Sequence, residues 1–311
     1  MPSLTPSDIV VRMFHPTLSV PDLTAARSFF RTFFGREPIE FAEYLSAREM
    51  AITPGYPTDY CFFVPIADVF FDCVDPSRHI FRGTQRARPV ARPTLTFFGW
   101  AVRDVDLVYS SLAAAGVRFL DQSRRPYSGS SAPMAEFAKT KLFWTAEEDT
   151  GLGYEFYAAD SISPADPRGR AGWHVPPSDP KDPLGIRRCS HHTVITGNPG
   201  RALRIMVDIL GGKVIHQAAS PVSGTQSFYV QLADSIIEYN HDPAMDGVGP
   251  DSYVGITWHI VELDKVAGHL AALGIPAEQA AKDLIVAGPE QALGVRWGFT
   301  TATVPGDLRQ S

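Results

Sequence analysis

Two histidines occupy corresponding places in two stretches of similar design. His15 precedes Asp22 by the same interval as His191 precedes Asn198. An imidazole can bind a divalent metal or exchange a proton near neutral pH, so both histidines are candidates for chemistry. His191 is followed directly by His192, and neighbours on a strand face opposite ways. Only one of this pair can therefore face a given pocket.

Each histidine lies near the start of a strand that leads into an amphipathic helix. In the second stretch the strand Cys189–Thr196 is followed by Asn198, a favourable N-cap, and by Pro199 at the first helical position. An apolar stripe follows and ends at glycine. Fainter copies of strand, acidic cap, helix and glycine occur at 104–116 and 262–274. Four such units predict a repeat architecture.

The repeats predict an α+β fold of four βαβββ units, paired into two modules. Each module should be a curved mixed sheet that forms a cup with helices outside. We expect the first module at 8–158, a Pro-rich linker at 159–185 and the second module at 186–308. Within the first unit, strands are expected at Pro38–Tyr44 and around Arg48–Ile52.

Composition limits the kinds of partner and compartment. A hydrophobic content of 44% predicts a well-packed globular core, and a net charge of −6 argues against nucleic acid. Three cysteines in 311 residues do not make a disulfide framework. The sequence shows no signal peptide and no apolar run long enough to span a bilayer. We expect a cytoplasmic protein that acts on a small-molecule substrate without nucleic acid or membrane, and a homodimer is left open.

A loop at residues 73–93 is rich in proline and arginine. It could bind an anionic substrate or cofactor, but arginines without an aromatic or glycine scaffold are common on surfaces. A solvated loop or a subunit contact is therefore the favoured interpretation. The arginines concerned are Arg78, Arg82, Arg86, Arg88 and Arg92.

Paired βαβββ units that open with H-x-x-L/V-x-V-x-D-L and close with a glutamate resemble the vicinal oxygen chelate superfamily. That group includes glyoxalase I, the extradiol ring-cleavage dioxygenases and the bleomycin and fosfomycin resistance proteins. DPLGIRRCSHHTVIT resembles the opening of the second module in two-module members, and SIIEYNHDP resembles their metal-bearing fourth strand. The resemblance covers nearly the whole chain and implies two glyoxalase-like modules. It is specific for the fold rather than for the reaction.

The resemblance also implies metal ligands, because in this superfamily they come from the opening strand and the fourth strand of a unit. In the second module it implies His191 and Glu238, with His259 as a third ligand if the strand register brings it close. Two imidazoles and one carboxylate would leave open positions on a divalent metal, with Fe2+ the first choice and Mn2+ or Zn2+ as alternatives. Tyr239 and His259 are the expected catalytic side chains, and Tyr229 is expected on the cup wall.

The expected sites are incomplete in both modules. A second histidine is expected near Gly255, but none stands there, and Arg296 occupies the place of a closing glutamate. In the first module Phe97 stands where the middle histidine would be, while His15 and Glu155 match the opening and closing strands. This last pair is the secondary candidate. The His, Tyr and Pro-Gly-Glu pattern of extradiol enzymes is absent.

Two functions from different classes remain open at this stage. One is a metal-dependent enzyme of dioxygenase or lyase type, acting on a small oxygenated or aromatic substrate chelated in the second cup. The other is a metal-free member, either a small-molecule sequestering protein or a cyclase or hydrolase that uses the same cup. His191 with Glu238 could equally be a polar pair on the cup wall, and His15 with Glu155 could be inherited residues without a metal.

Overall fold

The computed structural model describes residues 9–137, 139–163 and 165–309. Residue 8, where the first module was expected to begin, lies outside these ranges. The strands form two large mixed sheets, of nine and eight strands, and one small hairpin. Each large sheet is built from two βαβββ units, so the predicted α+β fold is confirmed.

The first sheet is assembled around four central strands. Its strands are β1 (Val10–Ser19), β2 (Ile39–Glu40), β3 (Cys61–Ile66), β4 (Val69–Val74), β7 (Thr94–Val102), β8 (Phe119–Leu120), β9 (Pro126–Tyr127), β10 (Leu142–Thr145) and β11 (Gly153–Ala158), with β5 (Ile80–Phe81) and β6 (Thr84–Gln85) forming the separate hairpin. The order is β2-β3-β4-β1-β7-β11-β10-β8-β9. Strands β1 and β7 pair antiparallel, whereas β1–β4 and β7–β11 are parallel. The opening and closing strands of both units thus lie side by side.

The second sheet repeats this plan. Its strands are β12 (Ile186–Thr196), β13 (Lys213–Ala219), β14 (Gln226–Leu232), β15 (Ser235–His241), β16 (Ser252–Ile260), β17 (Ala277–Ala281), β18 (Leu284–Ala287) and β19 (Arg296–Thr300). The order is β13-β14-β15-β12-β16-β19-β18-β17. Again the central strands are the opening and closing strands of the two units, with the same parallel and antiparallel pairing.

The helices begin and end at the residues that the sequence marks as caps. The side chain of Asp22 accepts hydrogen bonds from the backbone amides of Thr24 and Ala25, and Gly35 ends the helix in the left-handed region at φ 63°. No described helix has the length and apolar character needed to cross a membrane. The α-helices are α1 (Leu23–Phe34), α2 (Phe41–Tyr44), α3 (Ala47–Ile52), α4 (Val105–Ala114), α5 (Glu147–Thr150), α6 (Pro199–Leu203) and α7 (Leu263–Ala272), and α6 continues as a π-helical segment, Arg204–Ile209.

Two strands expected in the first unit are wrong. Only the two residues of β2 are extended in Pro38–Tyr44, and the segment Arg48–Ile52 is helical in α3. Ser46 caps α3 by accepting from the amide of Glu49, while the Glu49 carboxylate accepts from the amide of Ser46. This capping box is visible in the sequence as Ser-x-x-Glu and favours a helix over a strand.

The two sheets share one hydrophobic core. Helix α1 packs between them, and the ring centre of Phe34 lies 4.9 Å from that of Trp297 and 5.9 Å from that of Trp258 on the second sheet. The hydroxyls of Tyr154 and Tyr239 meet at 3.2 Å across the boundary between the sheets. Because side chains alternate along a strand, the opposite face of each sheet is left to form a cup.

Candidate active sites in the two cups

Strand register places the candidate side chains of the first cup around one point. His15 on β1 and Glu155 on β11 both lie opposite Gly99 on the strand between them. Asp72 on β4 lies opposite Thr17, two residues after His15. All four of these strands are central, so the side chains are held by paired backbone on both sides.

The second cup has the same register with different residues. His191 on β12 and Gly298 on β19 both lie opposite Thr257 on β16, and Glu238 on β15 lies opposite Thr193. The equivalent pairs are therefore His15 and His191, Asp72 and Glu238, Gly99 and Thr257, and Glu155 and Gly298. The first cup holds a histidine or carboxylate at three of the four positions, and the second cup at two.

His15 and Glu155 form a buried pair. The His15 Nε2 atom lies 3.8 Å from a Glu155 carboxylate oxygen, and His15 Nδ1 lies 3.0 Å from the hydroxyl of Thr17. Burial, with a smaller effect from the charge of Arg168, lowers the pKa of His15 to about 3. The imidazole is thus neutral at physiological pH. A Cβ atom at position 99 would lie 2.8 Å from the imidazole ring, so Gly99 makes room for it.

Two carboxyl groups of the first cup lack a fully compensating cation, namely the buried Glu155 and the partly buried Asp72. Burial raises the pKa of Glu155 to about 8, against the opposing charge of Arg124. It also raises the pKa of Asp72 to about 7, and one carboxyl oxygen of Asp72 is buried with no hydrogen-bond partner within the described residues. Buried carboxyls with such pKa values are typical of functional sites.

The cavity above these groups is small and aromatic. It has a volume of about 150 Å³. Most of its surface is apolar, although polar and charged side chains also line it, and a mainly apolar pocket with convergent polar groups is typical of small-molecule sites. The aromatic residues on its wall include Phe14, Phe41, Tyr44, Phe63, Phe97 and Trp144.

The second cup is larger, at about 340 Å³, and more polar. His191 Nε2 lies 3.5 Å from a Glu238 carboxylate oxygen. Burial lowers the pKa of His191 although the charge of Glu238 acts in the opposite direction. The Glu238 carboxylate accepts hydrogen bonds from the hydroxyls of Thr193 at 2.9 Å, Ser227 at 2.7 Å and Tyr229 at 3.2 Å. These three donors satisfy the buried carboxylate without a metal.

A complete metal site is not assembled in either cup as the side chains are placed. Across residues 9–137, 139–163 and 165–309, no three His, Cys, Asp or Glu side chains lie close enough together to hold an ion. In the second cup, Thr257 and Gly298 at the remaining positions offer no strong ligand, so this cup supplies only two donors, His191 and Glu238. In the first cup, His15, Glu155 and Asp72 supply the donor types that a divalent metal requires, and the unpartnered Asp72 oxygen lines the same cavity.

Two of the residues expected in the second cup lie elsewhere. Tyr239 neighbours Glu238 on β15, so its side chain faces the other way, into the shared core, where it contacts Tyr154. His259 lies two residues beyond Thr257, opposite Arg188, and is not part of the cavity wall. The expectation that Tyr239 and His259 act in this cup is therefore wrong. His191, Glu238 and Tyr229 do line it.

The expected position of the middle ligand was wrong by two residues in each module. Counting back from the helix points to Phe97 and Gly255, whereas the strand register points to Gly99 and Thr257. The reason is that the helix cap Asp104 follows Gly99 by five positions, whereas Asp22 follows His15 by seven. The closing position moves with the middle one, because Gly298 on β19 lies opposite Thr257 and Arg296 lies opposite Gly255.

His192 and most of the arginine-rich loop are structural. His192 is buried between the sheets, with Nδ1 2.6 Å from the hydroxyl of Tyr253. Arg78 pairs with Asp59, and Arg86 pairs with Glu136 at 2.7 Å. The exposed Arg88 and Arg92 line an open groove of about 980 Å³.

Asp72 and Arg124 are the site residues that sequence reasoning missed. Asp72 had a detectable signal, because VFFDCV and SIIEYN both place two bulky apolar residues directly before the acid. Arg124 had none that we can identify, since it lies in a turn between short strands far from the motif residues.

Comparisons with solved structures show proteins of the same fold. The 2,3-dioxygenase LapB from Pseudomonas sp. KL28 is 13% identical with a TM-score of 0.63, covering 98% of this chain and 96% of that one. The Mn(II)-bound glyoxalase from Novosphingobium aromaticivorans is 15% identical with a TM-score of 0.58, covering 97% and 86%. An extradiol ring-cleaving dioxygenase from B. fuscum is 13% identical with a TM-score of 0.56, covering 99% and 76%. No family model matches the sequence, and no curated protein does. These comparisons show that the chain shares the fold of solved dioxygenases and of a glyoxalase.

Proposed function

We propose that this chain, which has the two-module fold of extradiol dioxygenases and glyoxalases, is an enzyme that transforms a small oxygenated molecule in its first cup with the help of a divalent metal. The observation that carries the proposal is the group His15, Glu155 and Asp72, buried beneath an aromatic cavity at three of four equivalent positions. Support for a metal also comes from the Novosphingobium protein, which is Mn(II)-bound.

The donor set suits an ion that accepts both nitrogen and oxygen. One neutral imidazole and two carboxylates favour Fe2+ or Mn2+, with Zn2+ as a further choice. The bound ion would supply Lewis-acid chemistry toward neighbouring oxygens of the substrate or, as Fe2+, oxygen activation. A positive charge at this point would also offset the burial that raises the carboxyl pKa values of Glu155 and Asp72.

The remaining residues of the first cup orient the ligands and exclude water. The Thr17 hydroxyl holds the His15 ring through Nδ1, which leaves Nε2 to face Glu155. Burial raises the pKa of Tyr157 well above its usual range, so its phenol stays protonated beside Glu155 and is able to donate a hydrogen bond. The aromatic walls keep the cavity largely free of bulk water, which strengthens every electrostatic interaction inside it.

The second cup is the alternative location for the metal. His191 and Glu238 are the pair to which the superfamily resemblance points, and His191 is neutral and close to the carboxylate. Three hydroxyl groups already donate hydrogen bonds to the Glu238 carboxylate. The other two equivalent positions of this cup hold Thr257 and Gly298, which offer no strong metal ligand. We therefore place the second cup after the first as a metal site.

A metal-free function is the second candidate, and one specific observation favours it. The pKa of Glu155, raised to about 8, keeps this carboxyl protonated near neutral pH, the state required of a general acid. The cup could then catalyse a cyclisation or hydrolysis, or sequester a small molecule, without an ion.

Metal content and matched substitutions test the proposal. Protein purified without chelator is analysed for Fe, Mn and Zn, and its turnover is measured with catechols, α-hydroxy ketones and thiohemiacetals. His15→Ala and Glu155→Gln are compared with His191→Ala and Glu238→Gln, which occupy the corresponding strands of the other cup. We expect one divalent ion per chain, lost with the first pair and kept with the second.

Three other outcomes would decide differently. Loss of metal with His191→Ala and Glu238→Gln alone would move the site to the second cup. Wild-type protein without metal, and without gain of activity on addition of Fe2+, Mn2+ or Zn2+, would favour the metal-free candidate. Full occupancy in all four variants would contradict both metal assignments.

A further inference from the structure

Arg124 lies where the first cup meets the outer groove. It lines both the cavity of about 150 Å³ and the groove of about 980 Å³. The central carbon of its guanidinium is 4.8 Å from the ring centre of Phe97 and 4.1 Å from that of Trp144. These cation–π contacts hold the charged group against the cavity wall.

The backbone fixes the direction of this side chain. Arg124 has a φ of 59°, in the left-handed region that residues other than glycine rarely adopt. Its amide donates to the carbonyl of Asp121 at 2.9 Å, and the Asp121 carboxylate accepts from the amides of Ser123 and Arg125. With a further bond from the amide of Asp121 to the carbonyl of Arg125, four hydrogen bonds close the turn between β8 and β9, and Arg124 is held at its tip.

Within the described part of the chain, the guanidinium of Arg124 has no hydrogen-bond acceptor and no carboxylate at ion-pair distance. The neighbouring Arg86 differs, because Glu136 and the hydroxyl of Ser123 pair with it. Burial lowers the pKa of Arg124, although the nearby Glu155, Tyr157 and Glu147 act in the opposite direction, so its charge is only partly compensated. A partly buried cation with five unpaired N–H donors is suited to an anion that enters from the cavity.

The cavity determines what the rest of that ligand must be. Its volume matches the ~150 Å³ of an engineered apolar cavity that accepts benzene. Ten of the residues on its walls are Phe, Tyr or Trp, and aromatic rings pack on one another edge to face or with an offset. A single ring fits this space, and a second ring would have to extend into the groove.

We propose that the first cup takes single-ring aromatic carboxylates, with the ring among the aromatic walls and the carboxylate bound by Arg124. This substrate class rests on the proposed function of the same cup. Arg124 is then the residue that selects acids over neutral aromatic molecules, and a guanidinium can bind a carboxylate through two parallel hydrogen bonds.

The test compares benzoate with benzamide by isothermal titration calorimetry on the full chain in the presence of EDTA. The two probes have the same ring and nearly the same shape, but only benzoate is charged. We expect benzoate to bind wild-type protein at least about 10-fold more tightly, as a charge-assisted hydrogen bond predicts. Arg124→Met should abolish this preference, and Arg124→Lys should keep part of it because the charge remains. The control is Arg125→Met, a neighbouring exposed arginine outside the cavity, which should leave the preference unchanged.

Each result has a defined meaning. Equal affinity of wild-type protein for the two probes would overturn the proposal, and this comparison does not depend on any variant folding. Retention of the full preference in Arg124→Met would overturn it as well. Because EDTA removes metal, the benzoate preference can hold while metal binding to His15 and Glu155 fails, and the reverse is also observable. Failure of the substrate class is thus distinguishable from failure of the proposed function.

Discussion

Replacing Glu155 by glutamine should make the metal-free protein more stable at neutral pH. Burial raises the pKa of Glu155 from 4.5 to about 8, so the folded state holds a proton that the unfolded chain releases above pH 4.5. Stability from this group is fully present below pH 4.5 and is lost as the pH rises toward 8. At ~1.4 kcal/mol per pH unit, the loss between pH 4.5 and pH 7 is on the order of 3 kcal/mol. Glutamine has the same shape and no charge, so the variant should not lose this stability.

The assay is urea denaturation of wild-type and Glu155→Gln protein at pH 5, 6, 7 and 8 with EDTA present. The difference in unfolding free energy should be small at pH 5 and grow toward pH 8. Asp72, with a pKa raised to about 7, adds a similar slope to both proteins and largely cancels in the difference. Glu148→Gln is the control, because that carboxylate is mostly exposed.

Parallel curves for the two proteins would refute the reasoning, because they would mean that Glu155 is ionised in the folded state. A second series with Mn2+ or Fe2+ in place of EDTA separates the two proposed functions. An ion held by Glu155 stabilises wild-type protein in proportion to the logarithm of its concentration, and does so less in the variant. The same stabilisation in both proteins would remove Glu155 from the ligand set.

Three further predictions follow from packing and capping. Gly99→Ala should displace the His15 ring, since the new Cβ would lie 2.8 Å from it, and should reduce metal content measured by elemental analysis; unchanged content would contradict the assigned register. Tyr239→Phe should cost about 1 kcal/mol in unfolding free energy by removing the bond to Tyr154, with benzoate binding in the first cup unchanged; weaker benzoate binding would show that the core contact reaches that cup. Ser46→Ala should cost about 1 kcal/mol through loss of the α3 cap, measured by thermal unfolding, and no change would show that tertiary contacts alone hold this helix.

The repeat made the fold predictable from the sequence. The intervals from His15 to Gly35 and from His191 to Gly211 are equal, and each contains a cap, an apolar helical stripe and a terminating glycine, so local signals and the global plan agree. The failure at Arg48–Ile52 has a local cause. The short apolar run there resembles a strand, but Ser46 and Glu49 form a capping box that outweighs it.

The site was less predictable than the fold, because it depends on register rather than on pattern. The connection from strand to helix is two residues shorter after β7 and β16 than after β1 and β12. The position expected for the middle metal ligand is therefore Gly99 rather than Phe97 in the first module, and Thr257 rather than Gly255 in the second. Side-chain alternation decides that Glu238 faces the cup while Tyr239 faces the core, and the sequence does not state which face is which. Arg124 reaches the first cup only because a turn with positive φ directs it there, and no periodicity marks such a residue.

The tyrosine contact between the sheets has a consequence for the cooperativity of folding. Tyr154 and Tyr239 are the immediate neighbours of Glu155 and Glu238, so the strands that carry the two glutamates are joined back to back. Phe34 of helix α1 lies at the same boundary between the two sheets, where its ring packs against Trp258 and Trp297. Neither half of the chain can unfold without exposing the buried aromatic face of the other. We therefore expect one denaturation transition for the whole chain, with tryptophan fluorescence and circular dichroism changing together.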